Sequence, residues 1–297
     1  MLYNNLSGYF KRKYGQRLRK ICIDGGFSCP NRDGTVGRGG CIFCSERGSG
    51  EHIERGKSIN EQVNEGLLNN GLYVAYFQNF TNTYAELDIL KKRYDEALID
   101  ERIVALAIGT RPDCINEKIA ELIASYKERV DVWVELGLQS ANDETAKTIN
   151  RGYKTEVYKK AVEILHGYGI PVVTHIMIGL PGEDKSHLEE TVKTVVSAGS
   201  EGIKIHSVYI ARGTRLAELY KNGEYHPIEL DEYVDGVVYT LSHISPETVV
   251  HRLTGDCRGE MLVAPSWSAD KNLVLGKIVG RMNELGIKQG DFYSGQD

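Results

Sequence analysis

The chain has 297 residues, 41% hydrophobic and 26% charged, with a formal net charge of -5. That composition excludes disordered, collagen-like and membrane-embedded classes, and the length suits one α/β barrel, which takes about 250 residues. No apolar run approaches the roughly 18 residues of a membrane span, and Met1-Leu2-Tyr3-Asn4-Asn5 opens no hydrophobic segment with a cleavage site, so a cytoplasmic protein without membrane contact is expected.

Residues 1–50 hold nine Lys/Arg against three Asp/Glu, a local +6 that leaves -11 for the rest, and six of the ten positions from Lys11 to Lys20 are basic. Such a start suits either a polyanion or a solvated amphipathic surface. From Lys20 onward, short runs rich in β-branched residues alternate with stretches of helical period, the pattern of repeated βα units around a parallel sheet. Strands are predicted at 20–24, 73–78, 103–108, 131–138, 172–178 and 203–210, with a candidate seventh at 248–253. Helices are predicted at 58–69, 85–98, 116–128, 142–149, 155–168, 185–198 and 229–243. A last helix, 269–285, carries Leu273, Val274, Ile278, Val279 and Met282 on one side and is expected to pack back on the barrel.

Parallel crossovers are almost always right-handed, so successive units curl into a partial (β/α)6 TIM barrel with a C-terminal helical extension. No repeat, low-complexity tract or Pro/Ser linker divides the chain. A single domain over 1–297 is expected, with a basic segment at 1–19, a barrel core at 20–210 and an extension at 211–297. Active-site residues then belong at the carboxyl ends of the strands.

Three of the six cysteines are clustered. Cys29 precedes a polar loop containing Gly34, Gly37, Gly39 and Gly40, and Cys41-Ile42-Phe43-Cys44 closes it. The glycines allow positive φ and close backbone approach to a bulky centre. Three thiolates are one short of a closed zinc site but match a [4Fe-4S] cluster with one open iron. Zinc with Cys22 or His52 as fourth ligand, and plain surface thiols, are the alternatives at this point. A disulfide framework does not suit a reducing compartment.

The run Phe27-Ser28-Cys29-Pro30-Asn31-Arg32-Asp33-Gly34 with Gly39-Gly40-Cys41-Ile42-Phe43-Cys44 resembles the cluster loop of the radical S-adenosylmethionine (SAM) superfamily. More narrowly it is similar to the YhcC/YtqA-like group, related to the radical domain of the Elongator catalytic subunit. Eleven residues separate the first two cysteines where three are usual, a widened gap that belongs to this group. Ile108-Gly109-Thr110-Arg111-Pro112-Asp113, Glu135-Leu136-Gly137-Leu138-Gln139-Ser140, Asn150-Arg151-Gly152-Tyr153 and His175-Ile176-Met177-Ile178-Gly179-Leu180-Pro181-Gly182-Glu183 extend the match along the barrel.

The resemblance implies a [4Fe-4S] cluster on Cys29, Cys41 and Cys44, whose open iron binds SAM and reductively cleaves it to methionine and a 5'-deoxyadenosyl radical. It implies Phe43 against the adenine, Arg151 on the SAM carboxylate and His175 on the ribose. Glu135 and Gln139, four apart on one strand face, are candidates for the ribose or sulfonium region. For Phe43, Arg151, Glu135, Gln139 and His175 a purely structural role stands as the alternative. Where relatives carry a Gly-Gly-Glu or Gly-Gly-Thr turn for the amino group, this chain reads Gln78-Asn79-Phe80-Thr81-Asn82-Thr83, so Gln78, Phe80 and Thr81 become candidates. Gly109 stands where several relatives have a carboxylate. The segment Arg252-Leu253-Thr254-Gly255-Asp256-Cys257 is expected at the barrel mouth, with Cys257 either a hydrogen-atom donor or cross-linking partner or an adventitious loop thiol.

As partners the resemblance implies an electron donor such as flavodoxin or ferredoxin, and transfer RNA through modification of its wobble uridine. The alternatives are a radical SAM enzyme acting on a small metabolite and a non-catalytic zinc-binding nucleic-acid adaptor. No acetyltransferase domain is expected after the barrel.

Overall fold

The computed structural model describes residues 2–48, 50, 53, 56–255, 257 and 259–295. Helix α1 (Leu6–Tyr14) begins at Asn5, whose side chain accepts from the Gly8 N–H, and stops at Gly15, φ +72°. Strand β1 (Leu18–Ile23) leads into a one-turn α2 (Pro30–Asp33), and α3 (Ile59–Gly66) opens on a Ser58–Glu61 capping box. There follow β2 (Leu72–Phe77), α4 (Leu87–Ala97), β3 (Ile103–Thr110), α5 (Glu117–Ser125), β4 (Asp131–Gln139), α6 (Asp143–Thr148), α7 (Thr155–Gly167), β5 (Val172–Ile178), α8 (Lys185–Ser197) and β6 (Gly202–Ser207). The C-terminal part holds β7 (Ile210–Ala211), α9 (Arg215–Lys221), α10 (Leu230–His243), β8 (Val249–Arg252), β9 (Leu262–Ala264) and α11 (Lys271–Leu285).

Seven strands form one curled half-barrel sheet in the order β1-β2-β3-β4-β5-β6-β8, every neighbouring pair parallel. The candidate seventh strand is therefore present, and it places part of the C-terminal segment in the barrel sheet itself. Helices cover the outer face, where Phe77, Leu106, Ile108, Leu136 and Ile176 meet Leu90, Tyr94, Ile123, Tyr158 and Leu165 in the main core. Burial on both faces is why these strands read as continuous apolar runs.

On the concave face, near the strands' N-terminal ends, α1 inserts Phe10 among Val74, Ala105, Trp133 and Val173, its ring 6.3 Å from that of Trp133. Lys13 pairs with Asp131 at 2.5 Å, and Tyr14 donates to the same carboxylate. The segment just before α1 runs parallel to β8, with Val250 N–H bonding to Asn4 O at 2.8 Å. Helix α1 thus plugs the bottom of the barrel with its Phe10 face, at the end opposite the strands' carboxyl termini, while Lys11, Arg12, Arg17 and Arg19 stay exposed.

Two expectations are corrected. The run 203–210 is not one strand: β6 ends at Ser207, Val208 N–H turns back to Ile178 O, and β7 pairs antiparallel with β9. In α11, Val274, Ile278 and Met282 are buried, but Leu273 and Val279 are 42% and 38% exposed. The helix lies on the outside of the molecule, chiefly against α10, so only an i, i+4, i+8 seam is covered. Among the described residues no helix is long and apolar enough to cross a membrane.

Candidate active site

At the carboxyl ends of the strands a cleft of about 250 Å³ is bordered by Cys29, Cys41 and Cys44 on one side and by Lys204, His206 and Arg252 on the other. Phe43, Gln78, Phe80, Thr81, Glu135, Gln139 and His175 also line it. A larger cavity, about 910 Å³, opens between α8, α10 and α11, and none of the predicted site residues lines it. The smaller cleft is the candidate site because it gathers the thiols and the buried ionisable groups.

The three cysteines are partly buried, and burial pushes the Cys41 thiol up to about 12, with Cys44 and Cys29 adding to the effect. All three border the same cleft, and three soft donors there fit a cluster held at three corners. Among the described residues no three His, Cys, Asp or Glu side chains are gathered closely enough for a single metal ion. Of the two candidate fourth zinc ligands, His52 lies outside the described residues. Cys22 faces the barrel interior, where burial raises its pKa and Lys20 and Lys204 oppose.

The floor of the cleft is an ion cluster centred on Glu135, which is 1% exposed. Its Oε2 accepts from Tyr76 OH at 2.7 Å and from Lys204 Nζ, and lies 2.8 Å from His175 Nε2. Its Oε1 accepts from Trp133 Nε1 at 3.2 Å, with Lys20 Nζ 4.0 Å away. Burial opposes ionisation of Glu135, but Lys204, Lys20 and the His175 contact overcome it and hold the carboxyl well below its ordinary range. Burial draws Lys204 down to about 7 against the pull of Glu135, and draws His175 down to about 4 with Lys204 adding. Strand register produces this convergence, since His175 pairs with Lys204 and Lys204 with Arg252.

Three non-glycine residues have left-handed backbone: Phe80 at φ +56° and Gln139 at φ +60°, which line the cleft, and Asn150 at φ +54°, which bonds to the cysteine loop at Gly40 O. Such conformations persist where the surroundings fix them and cluster at functional sites. Gln139 ends β4 at a register shift that turns its side chain into the cleft beside Glu135. Gly137 admits the turn, because a Cβ there would lie 2.4 Å from Gln139 Nε2.

Arg151 does not line the cleft. It is fully buried behind the rim, donating from Nη1 to Ser140 O at 2.6 Å and Leu138 O at 2.5 Å, and from Nε to Tyr153 O at 3.0 Å. Arg111 does line the cleft, bonded to Asp113 at 2.9 and 2.7 Å and to Arg151 O at 3.0 Å, and lying over the Tyr153 ring at 4.8 Å. Cys257 is buried at 6% exposure and does not line the cleft, and its neighbour Asp256 lies outside the described residues.

Sequence reasoning left Tyr76, Lys204 and His206 unassigned, and gave Arg111 and Tyr153 no role of their own. One signal was available: Lys204 and His206 alternate with Ile203 and Ile205, which puts both polar groups on the concave face.

Residues 33–195, more than half of the chain, match the family described as the Radical SAM superfamily, and residues 200–284 match the Radical_SAM C-terminal domain. The chain belongs to the radical SAM superfamily. It is 39% identical to the uncharacterized protein YtqA of Bacillus subtilis over 98% of this chain and 92% of that one. It is also 30% identical to the tRNA uridine(34) acetyltransferase of Methanocaldococcus jannaschii, over 64% of this chain but only 34% of that relative. The archaeal Methanocaldococcus infernus Elp3 structure superposes with a TM-score of 0.67 at 20% identity, covering 92% of this chain and 64% of that one, a likeness of fold. As a radical SAM enzyme the chain uses a [4Fe-4S] cluster and SAM.

Proposed function

We propose that Cys29, Cys41 and Cys44 hold the cluster and that this radical SAM protein modifies a uridine at the wobble position of tRNA. The carrying observation is that all three cysteines border the cleft whose floor is the Glu135 ion cluster. When bound, cluster and SAM together supply reductive cleavage of the sulfonium C–S bond, with the electron coming from a flavodoxin- or ferredoxin-like donor.

The chain's own residues bind and orient. Arg111, pre-ordered by Asp113 and Tyr153, is the planar cation suited to a carboxylate at the rim. Thr81 Oγ1, fully buried and without a partner among the described residues, offers an acceptor for an ammonium group, with Gln78 and Phe80 beside it. Phe43 supplies a ring for stacking, Gln139 a carboxamide for ribose hydroxyls and His175 a neutral imidazole. Glu135 acts indirectly, by fixing His175, Tyr76 and Lys204. We read 1–297 as one functional unit, since β8 completes the sheet and contributes Arg252 to the cleft.

The tRNA reading draws support from the acetyltransferase relative and from the exposed cations near Lys11 and Arg17. A small-metabolite substrate is the second reading, favoured by the modest cleft volume and by the position of α1 at the far end of the barrel. Nucleoside analysis of tRNA from cells with and without the protein separates them. The first reading predicts a wobble uridine whose modification disappears with the gene, and an unchanged nucleoside profile contradicts it.

A further inference from the structure

The widened gap after Cys29 folds back on itself. Val36 and Gly37 N–H groups both bond to Pro30 O, and Gly40 N–H bonds to Asn31 O at 2.9 Å, so the loop returns Cys41 to the one-turn helix that follows Cys29. Two consecutive side chains of that turn then reach the second half of the motif. Arg32 Nη2 donates to Cys44 O at 3.1 Å and to Ser45 O at 2.5 Å. Asn31, 1% exposed, donates from Nδ2 to Asn150 O at 2.6 Å and to Cys41 Sγ at 3.8 Å.

The orientation of that carboxamide is settled by chemistry. Asn150 O can only accept, so the atom facing it is the amide nitrogen, and its second hydrogen is the one that points to sulfur. The other end is packed: a Cβ on Gly37 would lie 2.4 Å from Asn31 Oδ1 and one on Gly152 3.0 Å from it. Asn150 completes a clasp from the opposite side, donating to Gly40 O at 2.7 Å while Ile42 N–H bonds to Ile149 O at 3.0 Å. The Cys41 sulfur and both peptides flanking it are therefore held by other parts of the fold.

We propose that α2 is a template for the second and third cysteines, and that Asn31, through its N–H···S bond to Cys41, is a positioning residue that raises the reduction potential of the cluster. Hydrogen bonds to the sulfurs are among the levers that set iron–sulfur potentials. A donor stabilises the more electron-rich, reduced state more than the oxidised one, so losing it makes reduction harder. The inference rests on the assignment of Cys29, Cys41 and Cys44 as ligands.

The test is a potentiometric titration of anaerobically reconstituted full-length protein without SAM, read by electron paramagnetic resonance of the reduced cluster. Asn31→Leu keeps the size but removes the donor, and its midpoint is expected to be more negative than the parent's. Asn31→Ala carries the same measurement if the leucine variant does not fold. Asn150→Gly keeps the left-handed backbone and the Asn31 contact to sulfur but drops the bond to Gly40 O. It is expected to keep the parent midpoint while losing iron faster to a chelator. A parent midpoint in the Asn31 variants, or an equal shift in Asn150→Gly, overturns the proposal. Loss of the cluster from both Asn31 variants makes Asn31 structural and overturns the claim about potential. A parent protein that assembles no cluster overturns the ligand assignment and this inference with it.

Discussion

The guanidinium of Arg151 is enclosed by backbone carbonyls of the β4–α6 turn and by Tyr153 O, with Thr155 Oγ1 at 3.3 Å and Asp143 at 3.6 Å. Removing a buried, hydrogen-bonded charge leaves its acceptors unpaired. Arg151→Met should therefore lower stability by about 3–5 kcal/mol in urea unfolding. A residue anchoring the SAM carboxylate would instead lose SAM affinity with stability kept. His175 gives a second test at this scale. Its folded pKa of about 4 lies below the ordinary imidazole value, so between these the unfolded chain binds the extra proton and stability falls as pH drops from about 6.5 toward 4. Unfolding at pH 7 and 4.5 should show the parent losing up to about 3 kcal/mol more than His175→Gln. The sequence made residue types and spacing legible, so the cysteines, Gln139 and His175 fall in the cleft as expected. It did not show which carbonyls surround a guanidinium, so the burial of Arg151 away from the cleft was not legible.

At the scale of elements, the six main strands lie within a few residues of their predicted places, because strands buried on both faces must be runs of Val, Ile, Leu and Ala. Short elements were not legible: α2, α9 and the β7–β9 pair have too few residues to show a period. Helix α1 was hidden for another reason. It buries one residue, Phe10, beneath a strongly basic face, and so reads as a solvated segment. Its exposed cations stay available to a polyanion even though Lys13 is paired with Asp131. If tRNA is the substrate and wraps to that end, Lys11→Glu with Arg17→Glu should weaken binding and reduce the slope of log K against log salt by about 2, one for each lost phosphate contact. An unchanged slope in filter binding would remove α1 from the RNA footprint.

Across the whole molecule, the parallel sheet leaves one end for stability and the other for chemistry. The N-terminal ends are closed by α1, by the Asn4 contact to β8 and by the Lys13–Asp131 pair. The carboxyl ends carry the cysteines, the left-handed Phe80 and Gln139, and the buried ion cluster. Alternation of βα units makes this polarity readable in the sequence, whereas the ion cluster depends on register across β2, β4, β5 and β6, which no single segment encodes. The central claim is tested most directly by anaerobic reconstitution followed by dithionite and SAM. The parent should bind about four irons per chain and release 5'-deoxyadenosine and methionine, and Cys41→Ala should do neither. Loaded parent protein that yields no 5'-deoxyadenosine, or a Cys41→Ala variant that yields as much as the parent, would contradict the account.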